Sequence, residues 1–145
     1  VLLSLGLHRS NAVVASPEFL RVHGKPLVPS DLYRFRCIRA RLPHHALFRW
    51  RYEKGTEAVQ IDVQGAITLD EQSLVRLAAQ NGIGLGYIME ADVRQDLAAG
   101  RLVRVLEDWT PALPPLALYY PGRKNPPAAF RAFIQAAREF AEDNR

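Results

Sequence analysis

Along residues 57–64 apolar and polar side chains alternate, with Val59, Ile61 and Val63 on one side and Gln60, Asp62 and Gln64 on the other. A period of two predicts a strand with one buried face. A similar run over residues 48–53 precedes it, and Lys54-Gly55 between the two predicts a hairpin. Further on the period lengthens. Leu74, Leu77 and Ala78 predict a helix with a core-facing stripe, and Asn81-Gly82 supplies the left-handed residue that stops it. Two starts are open for this helix: Thr68 with Glu71 as a capping box, or Asp70 capping alone. A glycine-punctuated strand follows over residues 83–88, where Gly84 and Gly86 allow backbone or ligand to approach closely.

The same reading extends outward from this centre. Residues 11–16 predict a short strand. Ser16-Pro17 then opens a helix that ends toward Gly24, and residues 29–32 start another short helix, capped by Ser30 or preceded by a turn. Residues 36–40 predict a strand broken at Leu42-Pro43. Residues 91–99 predict a helix stopped by Gly100, followed by a strand over 102–106 and a proline-rich stretch containing Trp109. The continuous apolar run LALYY, residues 116–120, predicts a strand buried on both faces. After a loop over residues 122–127, Phe130, Phe133, Ile134, Ala137 and Phe140 or Ala141 form the apolar stripe of a last helix, with Gln135, Arg138 and Glu139 exposed. Strands alternating with helices predict an α/β fold, in which the LALYY strand and the last helix have no evident partner sheet.

Composition narrows the classes. With 145 residues, 48% hydrophobic and 23% charged, the chain suits one globular domain with a real core. No apolar run approaches the roughly 18 residues of a membrane span. The opening VLLSLGL lacks a basic flank and a cleavage site, so no signal peptide is expected. Because the chain begins with Val inside an apolar run, it reads as part of something longer. A single cysteine, Cys37, fits a reducing compartment and the role of a small buried residue. The net charge of +4 permits contact with anions, but the arginines are spread along the whole chain.

Candidate chemistry is sparse. Gly82, Gly84 and Gly86 superficially resemble a dinucleotide fingerprint, but that motif opens a helix whereas this run closes one. His44-His45 has no further ligand at zinc-like spacing, so no metal and no cofactor are expected. Asp70, Glu71, Glu90 and Asp92 cluster at helix starts, where carboxylates serve as caps and dipole partners. Trp50, Trp109, Tyr119 and Tyr120 read as core or crevice-wall aromatics. No nucleophile–base pair can be assembled, so no enzyme is expected.

Taken together, VVASPEFLRVHGKP, FRCIRARLP, GIGLGYI and LAAGRLVRVLEDWTPALPPLALYYPGRKNPPAAFRAFI resemble the LysR-type transcriptional regulators in order and spacing. GRLVRVLEDW followed by YYPGRKNPPAAFRAFI is the most specific part. The resemblance is to that family's C-terminal effector-binding region. It implies the periplasmic-binding-protein-like type II fold, two Rossmann-like α/β subdomains, with the second complete and the first only partly present. Residues 1–15 correspond to the end of the first subdomain and an outward crossing, 16–105 to the second subdomain, and 106–145 to the return crossing, last strand and last helix of the first. Two positions depart from the family pattern. Met89-Glu90 stands where a proline is usual, and Asp70 where an uncharged polar residue is common.

The function so implied is effector sensing and oligomerisation within a cytoplasmic regulator. Its partners would be a small-molecule effector, a homo-oligomeric partner, and DNA only through an N-terminal winged helix-turn-helix outside this chain. The alternative is a solute-binding module of a transport system on the same fold. The effector site is expected at Thr68, Leu69 and Asp70, at Arg41, Leu42 and Pro43, and at Gly82, Ile83, Gly84 and Leu85. Asp70 brings its own charge, which favours a neutral or hydroxyl-rich effector, or an anion met instead by Arg39 or Arg41.

Overall fold

The computed structural model describes residues 1–7, 9–122 and 124–143. In chain order its elements are β1 (Leu2–Ser4), β2 (Asn11–Ala15), α1 (Pro17–His23), β3 (Arg39–Ala40), β4 (Trp50–Lys54), β5 (Glu57–Ile61), β6 (Thr68–Leu69), α2 (Gln72–Gln80), β7 (Gly86–Met89), α3 (Glu90–Ala99), β8 (Val103–Val105), β9 (Ala117–Tyr119) and α4 (Ala128–Asp143). Short 3-10 turns lie at Pro29–Arg34 and Glu107–Trp109. Two compact units emerge, residues 10–111 and residues 1–9 with 112–145. The two boundaries, at 9/10 and 111/112, fall within the segments 1–15 and 106–145 that were read as containing the crossings. Asn11–Ala15 is needed as a strand of the larger unit, and Trp109 belongs to that unit's core.

Within residues 10–111, β2 lies antiparallel between β7 and β8. β3 and β6 run parallel in the register Arg39↔Thr68. A parallel bridge between Cys37 and Leu85 joins these pieces, closed by hydrogen bonds from Ile38 N–H to the Leu85 carbonyl (2.8 Å) and from Leu85 N–H to the Arg36 carbonyl (2.9 Å). The strand order is therefore β6-β3-β7-β2-β8, with β2 alone reversed. NAVVA is buried on both faces, as are Tyr87 and Ile88 of β7. Ala12 and Val14 enter one core with Ile38, Val75, Ala79 and Val93, beneath α2 and α3. Val13 and Ala15 enter the other with Phe19, Trp50, Tyr52, Ile61 and Trp109.

Local signals act as the residue types require. Ser16 Oγ accepts from Phe19 N–H (3.1 Å), Pro17 occupies the first turn, and Gly24 ends α1 at φ 81°. The β4–β5 hairpin pairs Trp50 with Ile61 and Lys54 with Glu57. Gly100 stops α3 in the left-handed region. Strands are shorter than the sequence suggests: of residues 36–40 only Arg39 and Ala40 form a regular strand.

The start and phase of α2 differ from expectation. Neither Thr68 nor Asp70 caps it. Arg39 N–H donates to the Ile67 carbonyl and Arg41 N–H to that of Leu69, so Thr68 and Leu69 are committed to the sheet. The helix begins at Gln72, and Glu71 accepts from the Ser73 hydroxyl. Val75 and Ala79 are buried, whereas Leu74 and Leu77 (53% exposed) are not. The helix lies close over the strand at Gly86, where an added Cβ would meet Val75 Cγ1 at 3.3 Å and Ala79 Cβ at 3.6 Å. Small side chains face that contact, and the leucines are turned outward.

The second unit is built on β1 paired antiparallel with β9, Leu3 opposite Leu118. Thus LALYY does have a partner strand, in the opening VLLS. The expected burial on both faces is absent, with Tyr119 76% exposed, because a two-stranded ribbon covers at most one face. On α4, Ile134 and Ala141 are buried and Phe130 meets the Tyr120 ring edge-on at 5.5 Å. Phe133, expected inside, is 56% exposed, while Gln135, Arg138 and Glu139 are exposed as the stripe predicts. Arg123, in the loop over residues 122–127, lies outside the described residues.

Candidate functional site

Because β3, β6, β7 and β8 point the same way, their carboxyl ends gather on one edge of the sheet. Open α/β sheets hold ligands at this edge, where successive connections leave in opposite directions. Here β3 has β6 on one side and β7 on the other, so the reversal falls at the ends of these three strands.

Arg41 and residues Thr68, Leu69 and Asp70 are brought together there by the Arg41 N–H to Leu69 carbonyl bond of 2.8 Å. Leu42 and Pro43 continue into a tight turn. Leu42 N–H donates to the Ala46 carbonyl and His45 N–H to the Leu42 carbonyl, both at 2.8 Å, with His45 at φ 68°. The Arg41 guanidinium donates to the His45 carbonyl at 2.8 Å, which fastens the turn and orients the arginine. Asp70 is exposed and has no hydrogen-bond or ion-pair partner among the described residues. It stands two residues before α2, whose first N–H groups are open.

Gly82, Ile83, Gly84 and Leu85 are elsewhere. They precede β7, and in a parallel sheet the residues entering one strand lie opposite those leaving its neighbours. Leu85 is level with Cys37, and Gly82 sits beside Ser16 Oγ, at the far end of the antiparallel β2. At Gly84 a Cβ would stand 2.6 Å from the Arg36 carbonyl oxygen. The close approach that this glycine permits is strand on strand, and it leaves no room for a ligand.

The carboxyl edge also carries Met89 and Glu90, the pair that stands where the family usually has a proline. Glu90 N–H donates to the Ser10 carbonyl (2.8 Å), and its carboxylate pairs with Arg94 at 2.9 Å. That guanidinium holds the Glu90 carboxyl below its usual range. The signal available was positional: Glu90 is the residue at which a parallel strand turns into the next helix.

Cys37 is buried in the middle of the sheet, its thiol pushed up to about 12 by burial. Alkylation by iodoacetamide at pH 8 should therefore be slow in the folded chain and rapid in 6 M guanidinium. Equal rates in the two conditions would place the thiol outside the core. Among the described residues no group of three or more His, Cys, Asp or Glu side chains could hold a metal, and no helix is long and apolar enough to cross a membrane.

Comparison with known proteins agrees with this geometry. The LysR substrate binding domain family matches residues 7–142. The chain is 37% identical over 122 residues to the uncharacterized HTH-type transcriptional regulator YcaN of Escherichia coli K12, covering 84% of this chain and 39% of YcaN. It is 34% identical over 124 residues to the HTH-type transcriptional regulator PgrR of the same organism, covering 85% and 42%. The chain thus spans about two-fifths of these relatives' length. Among solved structures, the regulatory domain of AphB from Vibrio vulnificus superposes with a TM-score of 0.76 at 22% identity, covering 100% of this chain and 69% of that one. The CrgA regulatory domain from Neisseria meningitidis gives 0.69 at 22%, covering 96% and 68%. The fold is the periplasmic-binding-protein-like type II fold of these regulatory domains, and the relatives are regulators, which sets the transport reading aside. By sequence, strand order and structural likeness together, this chain belongs to the LysR substrate binding domain family of transcriptional regulators.

Proposed function

We propose that this chain senses a small-molecule effector for a LysR-type regulator, without catalysis, and that the effector rests on Arg41, Leu42, Pro43, Thr68, Leu69 and Asp70. The observation that carries this reading is the convergence of these two segments at the carboxyl edge of the parallel strands, with the Asp70 carboxylate left unpaired. A carboxylate effector placed about 4 Å from Asp70 would be repelled by roughly 4 kcal/mol at an intermediate dielectric. The ligand class that suits the surface is neutral and rich in hydroxyl donors, with Asp70 accepting from it and the first N–H groups of α2 free to donate. Gly82, Ile83, Gly84 and Leu85 have no part in this site.

The test compares neutral polyols and sugars with small carboxylates by thermal shift on this chain and on its Asp70→Asn variant. Asp70 caps nothing, so the variant should fold with unchanged stability. Its affinity for a neutral hydroxylated ligand should fall about tenfold, the order of one charge-assisted hydrogen bond. Equal affinity of the two proteins for the neutral hydroxylated ligand would overturn the assignment.

In the longer regulator, DNA is read by a helix-turn-helix outside the matched residues, as the relatives' names suggest, and the protein works in the cytoplasm as a homo-oligomer. Leu74 and Leu77, one turn apart and exposed on α2, supply an apolar face for self-association. Leu77→Glu should shift the intact regulator toward smaller species in light scattering, and an unchanged mass would remove α2 from the interface.

A further inference from the structure

A concavity lies wholly within residues 10–111, and Asp70 is not among the residues that line it. It is a groove of ≈ 340 Å³ between β3 and the segments that enter and leave the hairpin, lined by Arg39, Leu47, Phe48, Arg49, Asp62 and Gln64. This volume is within the range of about 300–1,000 Å³ usual for small-molecule sites.

Arg39 sets this groove apart. Four arginines are half-buried among the described residues: Arg9, Arg39, Arg76 and Arg104. Arg9 donates to the Pro114 carbonyl, Arg76 pairs with Asp96, and Arg104 donates to the Asn11 and Thr110 carbonyls. Of these four, Arg39 alone has a guanidinium without a hydrogen-bond or ion-pair partner among the described residues. Its guanidinium nitrogens remain open to solvent, so an anion entering the groove can accept charge-assisted hydrogen bonds from them. The groove's other arginine, Arg49, is exposed and only loosely tied, 3.4 Å from Asp62 and 3.4 Å from Gln60 Oε1. It can swing toward an anion with little loss. Two guanidiniums against the one Asp62 carboxylate leave a net positive charge, and Leu47 and Phe48 add an apolar wall.

We propose that this groove is a second ligand site, taking a small organic carboxylate with a compact apolar body. The carboxylate sits on Arg39, with Arg49 in support, and the apolar body lies against Phe48. This site prefers an anion where the Asp70 surface rejects one, so the two readings stand or fall separately.

Benzoate serves as the probe and benzyl alcohol as its neutral counterpart, with binding to the whole 145-residue chain followed by amide chemical shifts. Benzoate should shift the amides of Phe48, Arg49, Val63 and Gln64 saturably and bind about tenfold more tightly than benzyl alcohol. Arg39→Gln should weaken benzoate about tenfold, and Arg49→Gln, at an exposed position, about threefold. The wild-type comparison and Arg49→Gln decide the matter even if Arg39→Gln folds poorly. Shifts confined to residues 41–43 and 68–70, equal binding of the two probes, no saturable shift, or unchanged affinity in the variants would each overturn the proposal.

Discussion

Gly65→Ala should destabilise the chain by about 3 kcal/mol or more, the upper end of what overpacking costs. A Cβ built on Gly65 would lie 1.7 Å from the Cys37 carbonyl oxygen and 2.9 Å from its carbonyl carbon. Both are backbone atoms, so no side-chain rotation relieves the clash. Nor can the two segments easily separate, because Cys37 N–H donates to the Gln64 carbonyl (3.0 Å) and Cys37 bridges to Leu85 in the middle of the sheet. Gly100→Ala is the matched control. A Cβ there meets open space, so only the strain of φ 75° remains, about 1–2 kcal/mol. Urea unfolding of the two variants measures the difference. Equal losses would mean that the Cys37 and Gly65 segments can part without cost.

What the sequence made legible was local. Ser16, Pro17 and Gly24 bound α1, Lys54-Gly55 turns the hairpin, and Gly100 ends α3, because each signal acts within a few residues of itself. What escaped depends on distant contacts. Thr68 reads as a cap until its parallel pairing with Arg39 is known. Leu74 and Leu77 read as core residues until the contact at Gly86 fixes the phase of α2. Gly65 carries no turn or motif signal, although its clearance is the tightest among the glycines described. The candidate site divides in the same way. Arg41 was legible as the residue after a predicted strand and Asp70 as a helix-start residue, but the grouping with Gly82–Leu85 rested on glycines and neglected strand direction. Arg39 was visible as an anion candidate, yet its lack of a partner is a property of the folded chain alone.

Asp96 shows how an interior charge can hold two helices, and how that tie depends on pH. In sequence it stands where the period of α3 calls for an apolar residue, three positions after the buried Val93. It is fully buried, its carboxylate accepting from Arg76, from Gln80 Nε2 (2.8 Å) and from Arg101 Nε (2.8 Å). Its backbone carbonyl meanwhile accepts from Arg101 N–H at 2.9 Å. One residue thus fastens α2, α3 and the Gly100 turn. Asp96→Ala should cost about 3 kcal/mol. The loss stays below the upper range for broken buried pairs because Arg76 and Arg101 are partly exposed and can rehydrate. The Arg76 hydrogen bond first, with Arg101 adding to it, brings the carboxyl down to about 2 against the opposing effect of burial. A depressed carboxyl stabilises the fold in its charged form. Its contribution is therefore complete above the ordinary aspartate value, about 3.9, and is lost as pH falls from there through about 2. Urea unfolding of the wild type and of Asp96→Asn between pH 7 and pH 2 should show a stability gap that is constant down to about pH 4 and then closes. A gap that persists unchanged at pH 2 would show that Asp96 acts by shape and neutral hydrogen bonding instead of charge.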